Sequence, residues 1–126
     1  MNNYKHSFRQ LVVWKESKNI TIFIYKITKQ FPPEEKYGLT SQLRRASSSI
    51  MANIAEGNER KTRKDCLRFL EIARGSLVEV DSFIDLALEL KYLSTSTYDI
   101  CIEMINKTAY LLDKFEQSQI NNPKRQ

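Results

Sequence analysis

Catalysis and metal binding draw on a short list of side chains, and this sequence is nearly bare of one of them. It holds a single histidine, His6, in the polar opening stretch MNNYKHSFRQ. One histidine cannot supply the paired imidazoles of a metal site or the Glu-x-x-His pairs of a di-iron bundle. The two cysteines, Cys66 and Cys101, form no Cys-x-x-Cys pair, so a zinc or redox site has no framework. Each sits among apolar residues at helical spacing, which predicts buried thiols rather than a disulfide. A Ser-His-Asp arrangement would have to recruit His6, and no glycine-rich phosphate loop occurs. Glu56, Glu71, Glu79 and Asp81 remain as candidates for acid–base work, but charged positions on helical faces are ordinarily just solvated. The reading is of a protein that is not an enzyme, with no catalytic residue, no metal and no cofactor.

The remaining chemistry is that of positive charge. The stretch RRASSSIMANIAEGNERKTRKD, residues 44–65, starts with Arg44 and Arg45 and ends in a burst containing Arg60, Lys61, Arg63 and Lys64, with Arg68 one turn further. These seven cations are the candidate nucleic-acid contacts, because the last five gather where a helix opens and its backbone N–H groups point outward. No aromatic residue interrupts the burst, so recognition of a phosphate backbone or a shape is expected rather than base stacking. Between the two groups, Asn53 shares a helical seam with Leu43, Ala46 and Ile50, and a buried amide needs hydrogen-bond partners. Glu56 lies in the last turn before Gly57, at the unfavourable end of the helix dipole. Asn53, Glu56, Ser76 and Glu79 are therefore the candidates for a structural polar network that sets register or assembly, with Arg44, Arg45, Arg60 or Arg74 as counter-charges.

Four helices must position these groups. In the first, Val13, Ser17, Ile20, Ile24, Ile27 and Phe31 recur at spacings of three and four until Pro32-Pro33 stops the helix. The second runs from about Leu39 to Glu56, with Gly57 expected as a C-cap glycine. It carries Ala46, Ser47, Ser48, Ser49, Ala52 and Ala55, a slender helix suited to close packing. The third opens at Thr62, with Asp65 completing a weakened capping box, and continues for about 28 residues through Leu90. Gly75, inside it, is expected to leave a notch for a neighbouring helix. The sequence STST at 94–97 provides a turn and N-cap before a fourth helix marked by Ile102, Ile105, Ala109, Leu112 and Phe115. From Gln117 the polar tail QSQINNPKRQ is expected to fray.

At 126 residues with three glycines and three prolines, the chain reads as one domain, all-α, an antiparallel up-and-down four-helix bundle. No run approaches the roughly 20 apolar residues of a membrane span, and the opening residues lack a secretory signal, so a cytoplasmic protein is expected. The net charge of +5 is unevenly spread: +4 over residues 1–40, +4 over 41–75 and −3 over 76–126. Such asymmetry suits an acidic partner such as nucleic acid, or the acidic half of another copy.

Three stretches, WKESKNITIFIYKITKQFPPEEKYGL, QLRRASSSIMANIAEG and FLEIARGSLVEV, carry a specific resemblance over Leu11 to Phe115. The chain resembles the 23S ribosomal RNA intervening-sequence proteins, a four-helix-bundle family related to the accessory variability determinant of diversity-generating retroelements. The pattern falls on Trp14, Tyr25, Phe31, Pro32, Glu35, Tyr37, Gly38, Leu39, Gln42, Arg44, Arg45, Ser49, Asn53, Glu56, Gly57, Ala73, Ser76 and Glu79. Pro33 and Ser47-Ser48 depart from it. The resemblance implies an up-and-down bundle, homo-oligomeric as a ring and typically a pentamer, with a basic surface for structured nucleic acid and no catalytic residues. The expected function is thus binding of structured RNA or DNA by a ring-forming bundle. The alternative is a homo-oligomeric protein-interaction adaptor in which basic and acidic halves of neighbouring copies, or another protein, meet without nucleic acid.

Overall fold

The computed structural model describes residues 7–126, so the expectation attached to His6 lies outside the described residues. A 3-10 turn at Ser7–Gln10 leads into α1 (Val12–Thr28), and a second at Pro33–Glu35 leads into α2 (Leu39–Asn58). Then come α3 (Arg63–Glu89) and α4 (Thr95–Ile120). There is no strand among the described residues. Each helix packs on its two neighbours in the cycle α1, α2, α3, α4, the α2–α3 contact being the most extensive. The short links leave antiparallel packing as the solution.

The near end of the bundle holds the start of α1, the end of α2, the start of α3 and the end of α4. It is tied by Asn58 Nδ2 donating to Ser7 Oγ (2.9 Å) and Arg63 Nε donating to the Gln119 carbonyl (3.1 Å). At the far end Phe31 packs on Tyr92, with ring centroids 5.3 Å apart.

The core follows the stripes that periodicity marks: Val13, Ile20 and Ile24 from α1; Leu43, Ala46, Ile50 and Ile54 from α2; Leu70, Ala73, Val80 and Ile84 from α3; Cys101, Ile105 and Leu112 from α4. Ile27 is only half-buried. Cys66 and Cys101 are buried free thiols, and burial pushes both upward, Cys101 to about 11. Most buried hydroxyls find backbone carbonyls, on their own helix or the next, whereas Gln119 Oε1 is buried without a partner among the described residues. Thr21 Oγ1 shares its proton between the Ser17 carbonyl (2.9 Å) and the Ser47 carbonyl (3.0 Å), joining α1 to α2. The expected N-caps are present, with Thr62 Oγ1 accepting from Asp65 N–H and Ser94 Oγ from Thr97 N–H, both at 3.1 Å.

Three expectations are corrected. Gly57 is no left-handed C-cap: no described glycine has positive φ, and α2 continues through Gly57 to Asn58. Its role is proximity, since a Cβ there would meet the Cys66 carbonyl oxygen, Leu70 Cδ2 and Phe69 Cβ, each at 3.2 Å. Gly75 makes no notch inside the bundle; it faces outward, with nothing within 4 Å of a Cβ. The tail does not fray at Gln117. Helix α4 runs to Ile120, and the chain then turns back beside α2, where the Arg125 guanidinium donates to the carbonyls of Gly57 (3.4 Å), Asn58 (3.0 Å) and Arg60.

The one positive-φ residue other than glycine among those described is Lys91, at φ 64°. Its N–H donates to the Leu88 carbonyl and the next, of Tyr92, to that of Ala87, both at 2.9 Å. This is a Schellman end to α3 with lysine where glycine is favoured, and the sequence held no glycine to announce it.

Candidate nucleic-acid interface

The seven expected cations do not form one surface. Arg44 and Arg45 belong to the second turn of α2 at the far end, and fourteen residues of helix, about 21 Å, separate Arg44 from Asn58 at the near end. Arg44 is half-buried and committed to structure. Its Nε donates to Thr28 Oγ1 (2.9 Å), a terminal nitrogen donates to the Tyr25 carbonyl (3.4 Å), and its guanidinium lies 4.7 Å from the Tyr25 ring centroid. Arg45 is exposed and bonded to Gln42 Oε1 on its own helix, at 2.5 Å.

Arg60, Lys61, Arg63, Lys64 and Arg68 do gather at the near end, but Arg63 is spent. It is half-buried, and besides Gln119 its guanidinium donates to the Asn122 carbonyl (2.6 Å), so it satisfies orphan acceptors at the end of α4. The exposed members are Arg60, Lys61, Lys64 and Arg68. Among the described residues Lys61 and Lys64 have no side-chain partner. Arg68 has Asp65 at 3.9 Å, a long, exposed pair worth about 0–1 kcal/mol that a phosphate displaces at little cost.

An aromatic ring, missed at the sequence level, sits among these charges. Phe69, half-buried, has the Arg68 guanidinium 4.5 Å and the Arg60 guanidinium 5.4 Å from its centroid. In one dimension Phe69 belongs to the core stripe of α3. Only the turn that brings Arg60 back against the start of α3 shows that two cations share the ring. Arg125 and exposed Lys124, read as part of a fraying tail, add two more charges at this end.

The polar network is half realised. Asn53 Nδ2 donates to the Ser49 carbonyl (2.8 Å) and to Ser49 Oγ (3.0 Å), and Ser76 Oγ donates to the same Ser49 Oγ (2.9 Å). Asn53 and Ser76 are therefore linked across α2 and α3 through Ser49, which the sequence reading had not placed in the network. Glu56 and Glu79 are exposed and take no part in it, because both point outward while Asn53 and Ser76 turn toward the helix seam. Of the four counter-charges suggested, Arg44, Arg45 and Arg60 meet Thr28, Gln42 and the Phe69 ring, and Arg74 pairs with Asp113 (2.7 Å) and Glu116 (2.9 Å) on α4.

The far end is built around Glu35. Its Oε1 accepts from Leu39 N–H (2.9 Å), capping α2, and its Oε2 accepts from the Tyr92 hydroxyl (2.8 Å). The Leu39 N–H and then the Tyr92 hydroxyl hold the Glu35 carboxyl below its ordinary value, and the bond to Glu35 holds the Tyr92 phenol above its own. A Cβ at Gly38 would lie 2.6 Å from Glu35 Oε1, so the glycine makes room for the cap. No group of three or more His, Cys, Asp or Glu disposed to hold a metal ion occurs among the described residues, and none of their helices is long and apolar enough to cross a membrane.

Residues 9–114 match the profile of the 23S rRNA-intervening sequence protein family. This chain belongs to that family. The fold is similar to a crystal structure of a protein of unknown function from the S23 ribosomal protein family of Bacteroides thetaiotaomicron, with a TM-score of 0.75. The two are 23% identical over 83% of this chain and 98% of that one. No curated protein matches the sequence significantly. The family match spans the capped turn at Glu35, the Ser49–Ser76 link and the cations from Arg60 to Arg68, and ends before Lys124 and Arg125.

Proposed function

We propose that this member of the 23S rRNA-intervening sequence protein family is a non-enzymatic, cytoplasmic, self-associating bundle that binds structured RNA or DNA at its near end. One observation carries the reading. Arg60 and Arg68 converge on the Phe69 ring beside Lys61 and Lys64, an arrangement of like charges that a phosphate backbone relieves. The family's name, which refers to 23S rRNA, points the same way.

Self-association is favoured by a different observation. Ile72, Leu86 and Leu90 are each more than two-fifths exposed and share the outward side of α3 with open Gly75 and exposed Glu79, next to the slender α2. A second copy of the chain suits that face, and the family resemblance implies a five-membered ring. If assembly alone were the function, the near-end cations would serve contacts between copies.

The double substitution Lys61→Glu with Lys64→Glu separates the two. Anisotropy with a structured RNA and a matched DNA duplex is expected to show affinity reduced at least tenfold and a shallower salt slope. Each phosphate contact contributes about 0.7 to 0.9 to that slope. Mass by light scattering and helical circular dichroism stay as in the unsubstituted protein. Unchanged affinity sinks the nucleic-acid reading, and a changed mass moves these lysines to the assembly interface.

A further inference from the structure

The turn between α1 and α2 holds several residues that secure the fold and one large ring that does not. Phe31 is buried against Tyr92, Glu35 caps α2 and accepts from Tyr92, Gly38 makes room for that cap, and Leu39 is buried. Tyr37 stands between Lys36 and Gly38 and is 88% exposed, the most exposed large apolar residue among those described. Its hydroxyl has no partner among the described residues, and its ring is approached by Lys36 Nζ at 5.4 Å. The backbone that presents it is anchored on both sides, so the ring is offered from a fixed base.

The α1–α2 turn and the helical turns flanking it are cationic, while the end of α3 and the start of α4 carry Asp85, Glu89 and Asp99. Residues 25–45 contain five basic and two acidic residues, and one of the acids, Glu35, is already committed to Leu39 N–H and Tyr92. A second ring on the same end, Tyr25, is 43% exposed with the Arg44 guanidinium against it. Rings alongside ammonium and guanidinium groups match what an unpaired base and its phosphate require: a π-face to stack on and cations for the backbone. A paired duplex keeps its base faces covered and cannot use the ring.

We infer that the far end is a second nucleic-acid site, one for unpaired nucleotides, with Tyr37 as the stacking platform and Lys36 as a phosphate contact. This rests on the nucleic-acid reading above and extends it, since it assigns single strands, loops or overhangs to the end opposite the near-end cations. A structured RNA offers both kinds of ligand on one molecule.

Three proteins test it: the unsubstituted chain, Tyr37→Ala and Tyr37→Phe, each titrated against a labelled oligouridylate and an RNA duplex of equal length. Tyr37→Ala is expected to weaken oligouridylate binding roughly 5- to 150-fold, the range of one lost base–aromatic stack, and to leave duplex binding unchanged. Tyr37→Phe keeps the ring and binds like the unsubstituted protein. Because the side chain is solvent-exposed, circular dichroism and melting temperature should be the same for all three. Equal oligouridylate binding by Tyr37→Ala overturns the inference. So does an unsubstituted protein that binds only the duplex, an outcome that leaves the near-end reading standing, whereas binding of neither RNA overturns both. A lower mass for Tyr37→Ala in light scattering would make the ring a contact between protein copies and likewise overturn the assignment.

Discussion

Single residues at this fold's ends do more than patterning assigns to them. Glu35 is the clearest case, because one carboxylate caps α2 and tethers the α3–α4 link through Tyr92. Its pKa is lowered in the folded protein by the Leu39 N–H bond first and the Tyr92 hydroxyl second. The unfolded chain therefore binds the proton more readily, and Glu35 stabilises the fold above the ordinary glutamate range of about 4.3. That contribution is lost as the pH falls through the lower folded value. Glu35→Gln is accordingly expected to be less stable than the unsubstituted chain at pH 7, with the gap closing on acidification. Urea melts at neutral pH and at successively lower pH check this, and a gap that stays constant would show that the charge on Glu35 is not what matters. Tyr98 presents the same chemistry on the surface, its phenol pushed up to about 12 by the hydrogen bond to Asp85.

At the scale of the element, two glycines in long helices have opposite consequences. Glycine costs a helix about 1 kcal/mol relative to alanine. At Gly75 a methyl group meets nothing within 4 Å, so Gly75→Ala should recover about 1 kcal/mol and raise the melting temperature. At Gly57 the same methyl meets the Cys66 carbonyl oxygen and two side chains at 3.2 Å. The backbone of α3 cannot give way as a flexible side chain could, and overpacking of this kind costs about 1–3 kcal/mol. Gly57→Ala should therefore lose stability, by about 1 kcal/mol after the propensity gain. Thermal melts of the pair decide it, and a stabilised Gly57→Ala would mean that α2 and α3 part more easily than their packing indicates. A Gly75→Ala protein of altered mass would place this face in the subunit contact.

For the whole molecule, the near end is where all four helices are locked together. Arg63 reaches the end of α4, and Arg125 reaches the end of α2. Each brings a positive charge to orphan carbonyls at the negative end of a helix. Arg125→Ala is expected to cost about 1 kcal/mol and to speed hydrogen exchange in the last turn of α2 and in residues 121–126, leaving the far end unaffected. Uniform exchange rates in both proteins would show that the return of the chain contributes nothing to the lock. The same lock withdraws Arg63 from any ligand, which leaves Arg60, Lys61, Lys64 and Arg68 as the exposed charges of the proposed site.

Element identity, the order of the four helices, the core stripes and the N-caps at Thr62 and Ser94 were legible in the sequence. Each depends on neighbours within a few positions, where a period of 3.6 or a cap three residues away is enough. The resemblance carried by the motifs around Pro32, Arg45 and Gly57 likewise located the family. What the sequence could not state is which separated groups meet. Seven cations read as one surface divide into two ends because α2 is a rigid rod between them. Asn53 and Ser76 meet through Ser49, whereas Glu56 and Glu79 face outward, a matter of tens of degrees around two helix axes. Phe69 joins the cations, and the tail returns to α2, only because the turn at 59–62 and the end of α4 share one end of the bundle. Proximity across the bundle is set by packing, and no spacing along the chain encodes it.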